Sequence, residues 1–200
     1  MSAPETRARE RIAAIELRSC AADILELAPF HGRAEELRRL MSAHGSSLPP
    51  VGHLTVTAQR RVLCVRPGRW LLLEPRGEPG TSAARWESDC AGIGTAVDLT
   101  SALSTLDLTG AAVREVLARG CRLDLALERF PEGRAARTVM AQVPVILGAS
   151  SAGVMLLTSS TMARHFSDWL VASAKPFGLS SPRDLATMDS LGPSAGALQT

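Results

Sequence analysis

The 200-residue sequence predicts an α+β fold: two pseudo-repeated halves of mainly antiparallel strands with helices packed on the sheets. Three observations predict it. Short runs such as Val97/Leu99 and Leu106/Leu108 alternate apolar with polar residues, the period of a strand. Between them lie stretches whose apolar residues recur at three and four, as in Val113, Val116 and Leu117, the period of a helical face. Finally, two halves, about 15–92 and 93–178, echo each other as strand, helix, strands, helix. Each carries an apolar strand, WLLLE or VMLLT, just ahead of its last helix.

Taken in order, residues 1–14 read as a mobile arm. Ile15 to Leu27 reads as extended, with a turn at SCAAD, and Pro29-Phe30-His31-Gly32 ends it. Arg33 to His44 is helical, with Leu37, Leu40 and Met41 on one face and Gly45 as the stop. Leu48-Pro49-Pro50-Val51-Gly52 is a rigid connector. Strands follow at His53 to Thr57, Val62 to Val65 and Trp70 to Glu74. Arg66-Pro67-Gly68-Arg69 is the turn between the last two. Pro79 to Asp89 forms a short helix.

In the second half, two strands lead to a helix that Thr109-Gly110 caps and Gly120 ends as a left-handed residue. Phe130-Pro131-Glu132-Gly133 turns into one long strand, Arg137 to Leu147, which Pro144 places at a sheet edge or a bulge. Val154 to Thr158 is a strand. The last helix, about Ser160 to Lys175, stacks Met162, Phe166, Trp169, Leu170 and Ser173/Ala174 on one side before Pro176 and Gly178. Residues 179–200 are rich in Ser, Pro, Gly and Ala and read as a flexible tail.

Composition narrows the function. An apolar share of 46% suffices for a core, and a net charge of +2 is too small for a nucleic-acid or anionic-membrane surface. No run approaches the ~20 apolar residues of a membrane helix, and the charged N-terminus is no signal peptide. Cys20, Cys64, Cys90 and Cys121 lie too far apart for a C-x-x-C site, so reduced thiols and a cytoplasmic location are expected. Lys175 is the only lysine, which reads as codon bias more than as an arginine-specific role.

Motif searches point away from catalysis. Gly92-Ile93-Gly94 precedes a strand, where a dinucleotide fingerprint follows one, and lacks its third glycine. Gly148 to Gly153 lacks the Lys-Ser/Thr of a phosphate loop, and no G-x-S-x-G occurs. His31, His44, His53 and His165 lack ligand spacing and are expected at the surface. Asp98, Asp107 and Asp124 lie beside apolar strands. Asp98 is expected to accept backbone and hydroxyl bonds, and Asp124 to cap a turn. No catalytic, cofactor or metal residue is therefore assigned. Trp86, beside Arg85, is the better interface candidate if exposed at an edge, with Trp70 second.

Three stretches carry a family resemblance: Arg66-Pro67-Gly68-Arg69-Trp70-Leu71-Leu72-Leu73; AVDLTSALSTLDLTGAAVREVLARGCRLDL from Ala96; and Phe130-Pro131-Glu132-Gly133-Arg134 through Val145. The closing helix HFSDWLVASAKPFG fits as well. In order and spacing, over about Gly52 to Gly178, they resemble the gamma subunits of heterotetrameric sarcosine oxidase.

That resemblance implies a fold similar to the folate-binding domain of glycine-cleavage aminomethyltransferases. It also implies a non-catalytic accessory subunit in a flavoenzyme complex that oxidatively demethylates sarcosine or a related N-methyl amino acid. The partners would be an alpha subunit with NAD and tetrahydrofolate sites, forming the main contact, a beta subunit with FAD, and a small delta subunit with zinc. FMN would lie between alpha and beta. Two other readings stand beside it: a free-standing folate-binding or aminomethyltransferase-like protein, and an interaction module that shares only the fold.

Overall fold

The computed structural model describes residues 15–180; the arm at 1–14 and the tail from 181 onward lie outside the described residues. Among the described residues, eleven strands form two sheets. They are β1 (Ile15–Ser19), β2 (Ala22–Pro29), β3 (His53–Val56), β4 (Arg61–Arg66), β5 (Arg69–Pro75), β6 (Gly94–Asp98), β7 (Leu103–Thr109), β8 (Ala135–Met140), β9 (Val143–Ser150), β10 (Gly153–Ser159) and β11 (Leu179–Ser180). Four α-helices among the described residues cover them: α1 (Ala34–Ala43), α2 (Thr81–Asp89), α3 (Val113–Ala118) and α4 (Ala163–Ala174). One sheet runs β3-β4-β5-β2-β6 and the other β11-β1-β7-β10-β9-β8. All pairings are antiparallel except β1 with β11.

The layers follow from the sequence of the central strands. Trp70 and Leu72 of β5 pack under α1 and α2 with Leu37, Met41 and Trp86, while Leu71 and Leu73 point to the other sheet. Val154 and Leu156 of β10 pack under α3 and α4 with Val116, Phe166 and Leu170, while Met155 and Leu157 face inward. A strand buried on both faces reads as a continuous apolar run, which is what WLLLE and VMLLT are. The result is helices, sheet, sheet, helices. The sheets close tightly at Gly148, where a Cβ would come within 3.1 Å of Leu54 and 3.2 Å of Leu63.

The two halves are interleaved. β1 begins the first half but pairs with β7 of the second, and β6 begins the second half but pairs with β2 of the first. Each crossover is tied to the other half by the same backbone bond: Cys20 N donates to Thr105 O (3.0 Å) and Leu99 N to Ile24 O (2.8 Å). Matching the registers then makes β2 equivalent to β7, β5 to β10, β4 to β9 and β3 to β8, an approximate two-fold relation.

Four local expectations are corrected. The stretch from Arg137 to Leu147 is a hairpin, with Ala141 (φ 50°) and Gln142 (φ 66°) as a two-residue turn. Neither residue is Gly, so the usual turn signal is missing. Pro144 lies in β9, an interior strand. It opposes Val139, one step beyond the turn-closing Met140/Val143 pair, so its missing N–H points away from β8, and pairing with β10 starts only at Val145. Thr109 ends β7, and α3 starts with Ala112 as N-cap and no side-chain cap bond. Gly120 is absent from the positive-φ residues; its missing Cβ instead makes room for Trp169, whose ring carbon would lie 2.4 Å away. Leu179–Ser180 pairs in parallel with β1.

Candidate functional site: a splayed end between the sheets

Three carboxylates on the inner strands organise the polar chemistry. Glu74 is the most buried, its side chain 8% exposed beneath α2. It accepts hydrogen bonds from Arg60 Nε (2.5 Å), Ser82 Oγ (2.7 Å), Arg85 Nη2 (2.5 Å) and Trp86 Nε1 (3.1 Å). Burial raises its pKa, but the bonds from Arg60, Ser82 and Trp86 and the charge of Arg85 outweigh it, so the carboxyl lies below the usual glutamate value. A pocket of about 420 Å³ opens beside it. Of the three carboxylates that line it, the two buried ones are already occupied, Glu74 by these donors and Asp23 by Gly77 N and Arg76, and the third, Glu78, is exposed. This cluster fastens α2 to the sheet.

The interface expectation for this region changes accordingly. Trp86 is fully buried, its ring tilted at 43° against that of His44 with centroids 4.6 Å apart, and Trp70 is buried with Nε1 donating to Pro49 O at 2.8 Å. Their indole N–H groups find acceptors inside, which satisfies the burial. Arg85 keeps 47% of its side chain exposed, but its guanidinium is committed to Glu74. Of the histidines, His31 and His165 are exposed, while His44 and His53 are half-buried, with His44 Nε2 3.1 Å from Asp89 and His53 Nε2 3.2 Å from Arg134.

The second carboxylate, Asp107 of β7, faces the other sheet. Arg61 of β4 meets it with two bonds of 2.7 Å, and the Cys20 thiol donates to Oδ2 at 3.0 Å. Burial, that bond and the Asp107 charge push the Cys20 thiol up to about 12, making it a donor and not a nucleophile at neutral pH. The space left here is about 30 Å³, no more than a water or two.

The third, Glu26 of β2, occupies the position equivalent to Asp107. The residue equivalent to Arg61 is Ile146, and the arginine sits one strand over, at Arg137. Glu26 is instead held by Arg66 Nη2 (2.7 Å) and Arg69 Nη1 (2.6 Å), both from the β4–β5 turn of its own sheet. Burial raises its pKa and these two bonds lower it, with the net result below the usual value. Among the described residues no side-chain hydrogen bond or ion pair of Glu26 reaches the other sheet, and a cleft of about 320 Å³ opens, floored by Leu71, Leu99, Leu103 and Ile146. The Arg137 side chain lines it from the opposite sheet with no hydrogen-bond or ion-pair partner among the described residues.

Smaller expectations can be placed too. Asp98 accepts from Thr100 N (2.8 Å) and Asp124 from Ala126 N (3.0 Å), both as expected of turn acceptors. Among the described residues, no three His, Cys, Asp or Glu side chains gather as a metal group, and no helix is long and apolar enough to cross a membrane. All four cysteines are free. The cleft was hidden in the sequence because Arg66 and Arg69 read only as a turn and Arg137 lay in a misread strand.

The model of the sarcosine oxidase, gamma subunit family matches residues 38–175. The chain belongs to that family. A gamma subunit of sarcosine oxidase from Arthrobacter sp is 29% identical over 141 residues, 69% of each protein. A similar fold is seen in the solved heterotetrameric sarcosine oxidase from Corynebacterium sp. U-96 in complex with pyrrole 2-carboxylate. One chain of it superposes with TM-score 0.72 at 24% identity, covering 88% of this chain and 93% of that one. The glycine cleavage aminomethyltransferase T from Bartonella henselae matches with TM-score 0.59 at 15% identity, over 80% of this chain and 46% of that one. The expected α+β, aminomethyltransferase-like fold is therefore the observed one.

Proposed function

We propose that this chain is the accessory gamma subunit of a heterotetrameric sarcosine-oxidase-type complex, an oxidoreductase that demethylates sarcosine or a related N-methyl amino acid. Membership of the gamma subunit family over residues 38–175 carries this reading, and the fold shared with a chain of a heterotetrameric sarcosine oxidase supports it. The chain itself is non-catalytic: its buried carboxylates are spent on arginines and backbone amides. FAD, FMN, NAD, tetrahydrofolate and zinc belong to the alpha, beta and delta partners, alpha being the main contact, and the complex is cytoplasmic. The family match favours this over a free-standing folate-binding protein.

The test is to co-express the chain with its candidate partner subunits, purify through a tag on this chain alone, and record the absorbance spectrum. A yellow complex that turns over sarcosine is expected. A colourless, well-folded single chain contradicts the reading.

A further inference from the structure

We infer that the Glu26 cleft is where an acidic segment of the large partner subunit docks, its carboxylate entering between Arg66, Arg69 and Arg137. The inference rests on the accessory-subunit reading and names the surface that reading requires.

Charge gives the sign of the occupant. Three guanidiniums line the cleft against the single carboxylate of Glu26, whose side chain is 17% exposed. Arg137 has no partner within the described residues, and Arg66 and Arg69 share one acceptor, each leaving donors unused. A planar, forked donor of this kind is suited to a carboxylate. The pseudo-symmetric end shows the completed form: there Asp107 meets Arg61 across the sheets and the space closes. An incoming carboxylate would do for Arg137 what Asp107 does for Arg61.

Surface beyond the cavity gives the size of the occupant. Val97 is the cross-strand neighbour of Glu26 on β6, an edge strand, and is 46% exposed. Val139 stands two residues from Arg137 on β8, also an edge strand, and is 47% exposed. Alternation puts each valine on the same face as its charged neighbour. Apolar side chains on both lips extend the contact past what a small anion fills. A chain segment with apolar residues flanking its acid covers both, as in the arginine-rich, apolar centres of protein interfaces.

The experiment titrates the purified large subunit onto this chain and its variants at about 50 and 300 mM salt, a span over which exposed charges become screened. Arg137→Glu is expected to weaken binding about tenfold at the lower salt and less at the higher. Glu26→Gln removes the competing carboxylate and is expected to hold or tighten binding. Thermal melting of each isolated variant reports folding. Should Arg137→Glu melt well below wild type, Arg137→Gln, which keeps a polar end without the charge, is read in its place and is expected to weaken binding by a few-fold. Equal binding by wild type, Arg137→Glu and Arg137→Gln overturns the inference, as does weakening by Glu26→Gln in a folded variant. Arg137-dependent binding of succinate by the isolated chain, with large-subunit affinity unchanged, also overturns it in favour of a small carboxylate ligand. A wild-type chain that fails to bind the large subunit at all overturns the subunit reading, and this inference with it.

Discussion

The two ends of the inter-sheet layer are built on one plan and finished differently. At the Asp107 end, the arginine stands on the opposite sheet, so the ion pair spans the layer and joins the sheets. At the Glu26 end, both arginines stand on the carboxylate's own sheet, and the position facing it across the layer holds Ile146. The chemistry is the same, one acid and its guanidiniums. What differs is the strand that carries the arginine, and that choice decides whether the pair stabilises the fold or leaves a charged cleft open. Gly148 and its equivalent Leu63 mark the middle of the layer, where small meets large and the sheets touch.

Three carboxylates whose most buried arginines grade from buried Arg60 at Glu74 through partly exposed Arg61 at Asp107 to Arg66 and Arg69, half in water, at Glu26 let this comparison be broken or sharpened. The largest effect is expected for Glu74→Ala. It strands Arg60 and Trp86 inside, and denaturant unfolding should show a loss of about 3 kcal/mol. Asp107→Ala should cost about 2 kcal/mol, because Arg61 and Cys20 lose their acceptor in a partly exposed site and the sheets lose their tie. Glu26→Ala should cost about 0.5 kcal/mol by the same measurement, since its arginines are half in water. A loss at Glu26 equal to that at Asp107 would remove the distinction between the ends.

Acid provides a further check. Glu74 titrates below its ordinary value of 4.5 in the folded chain. A carboxylate depressed in this way contributes its stability above the unfolded value and loses it as pH falls through the folded one. Wild type should therefore lose stability more steeply than Glu74→Ala below about pH 4.5, with the two curves parallel at neutral pH.

Much of this fold was legible in the sequence because the periods are strong: the apolar runs of β5 and β10, the helical faces of Val113/Val116/Leu117 and Phe166/Leu170, and the halves that repeat them. Signals failed where one residue type serves two physical ends. Gly120 gives room to an indole where a left-handed cap was expected, and Ala141-Gln142 turns a hairpin without glycine. Trp86 beside Arg85 looked like a surface pair, yet the indole N–H found Glu74 inside. The exchange of β1 and β6 between the sheets leaves no local trace, since a strand's pattern reports its burial and not its partner. For the same reason the cleft was not legible: it depends on which sheet carries Arg66, Arg69 and Arg137.

Hydrogen exchange on this chain, alone and bound to its large partner subunit, tests the contrast between open and closed ends most directly. Protection gained on binding in residues 65–71, 94–99 and 135–139, with the closed end at 105–109 and α2 at Thr81–Asp89 unchanged, is the predicted result. Protection gained at α2 and none around the cleft would contradict it, and would return the interface to the face carrying Arg85.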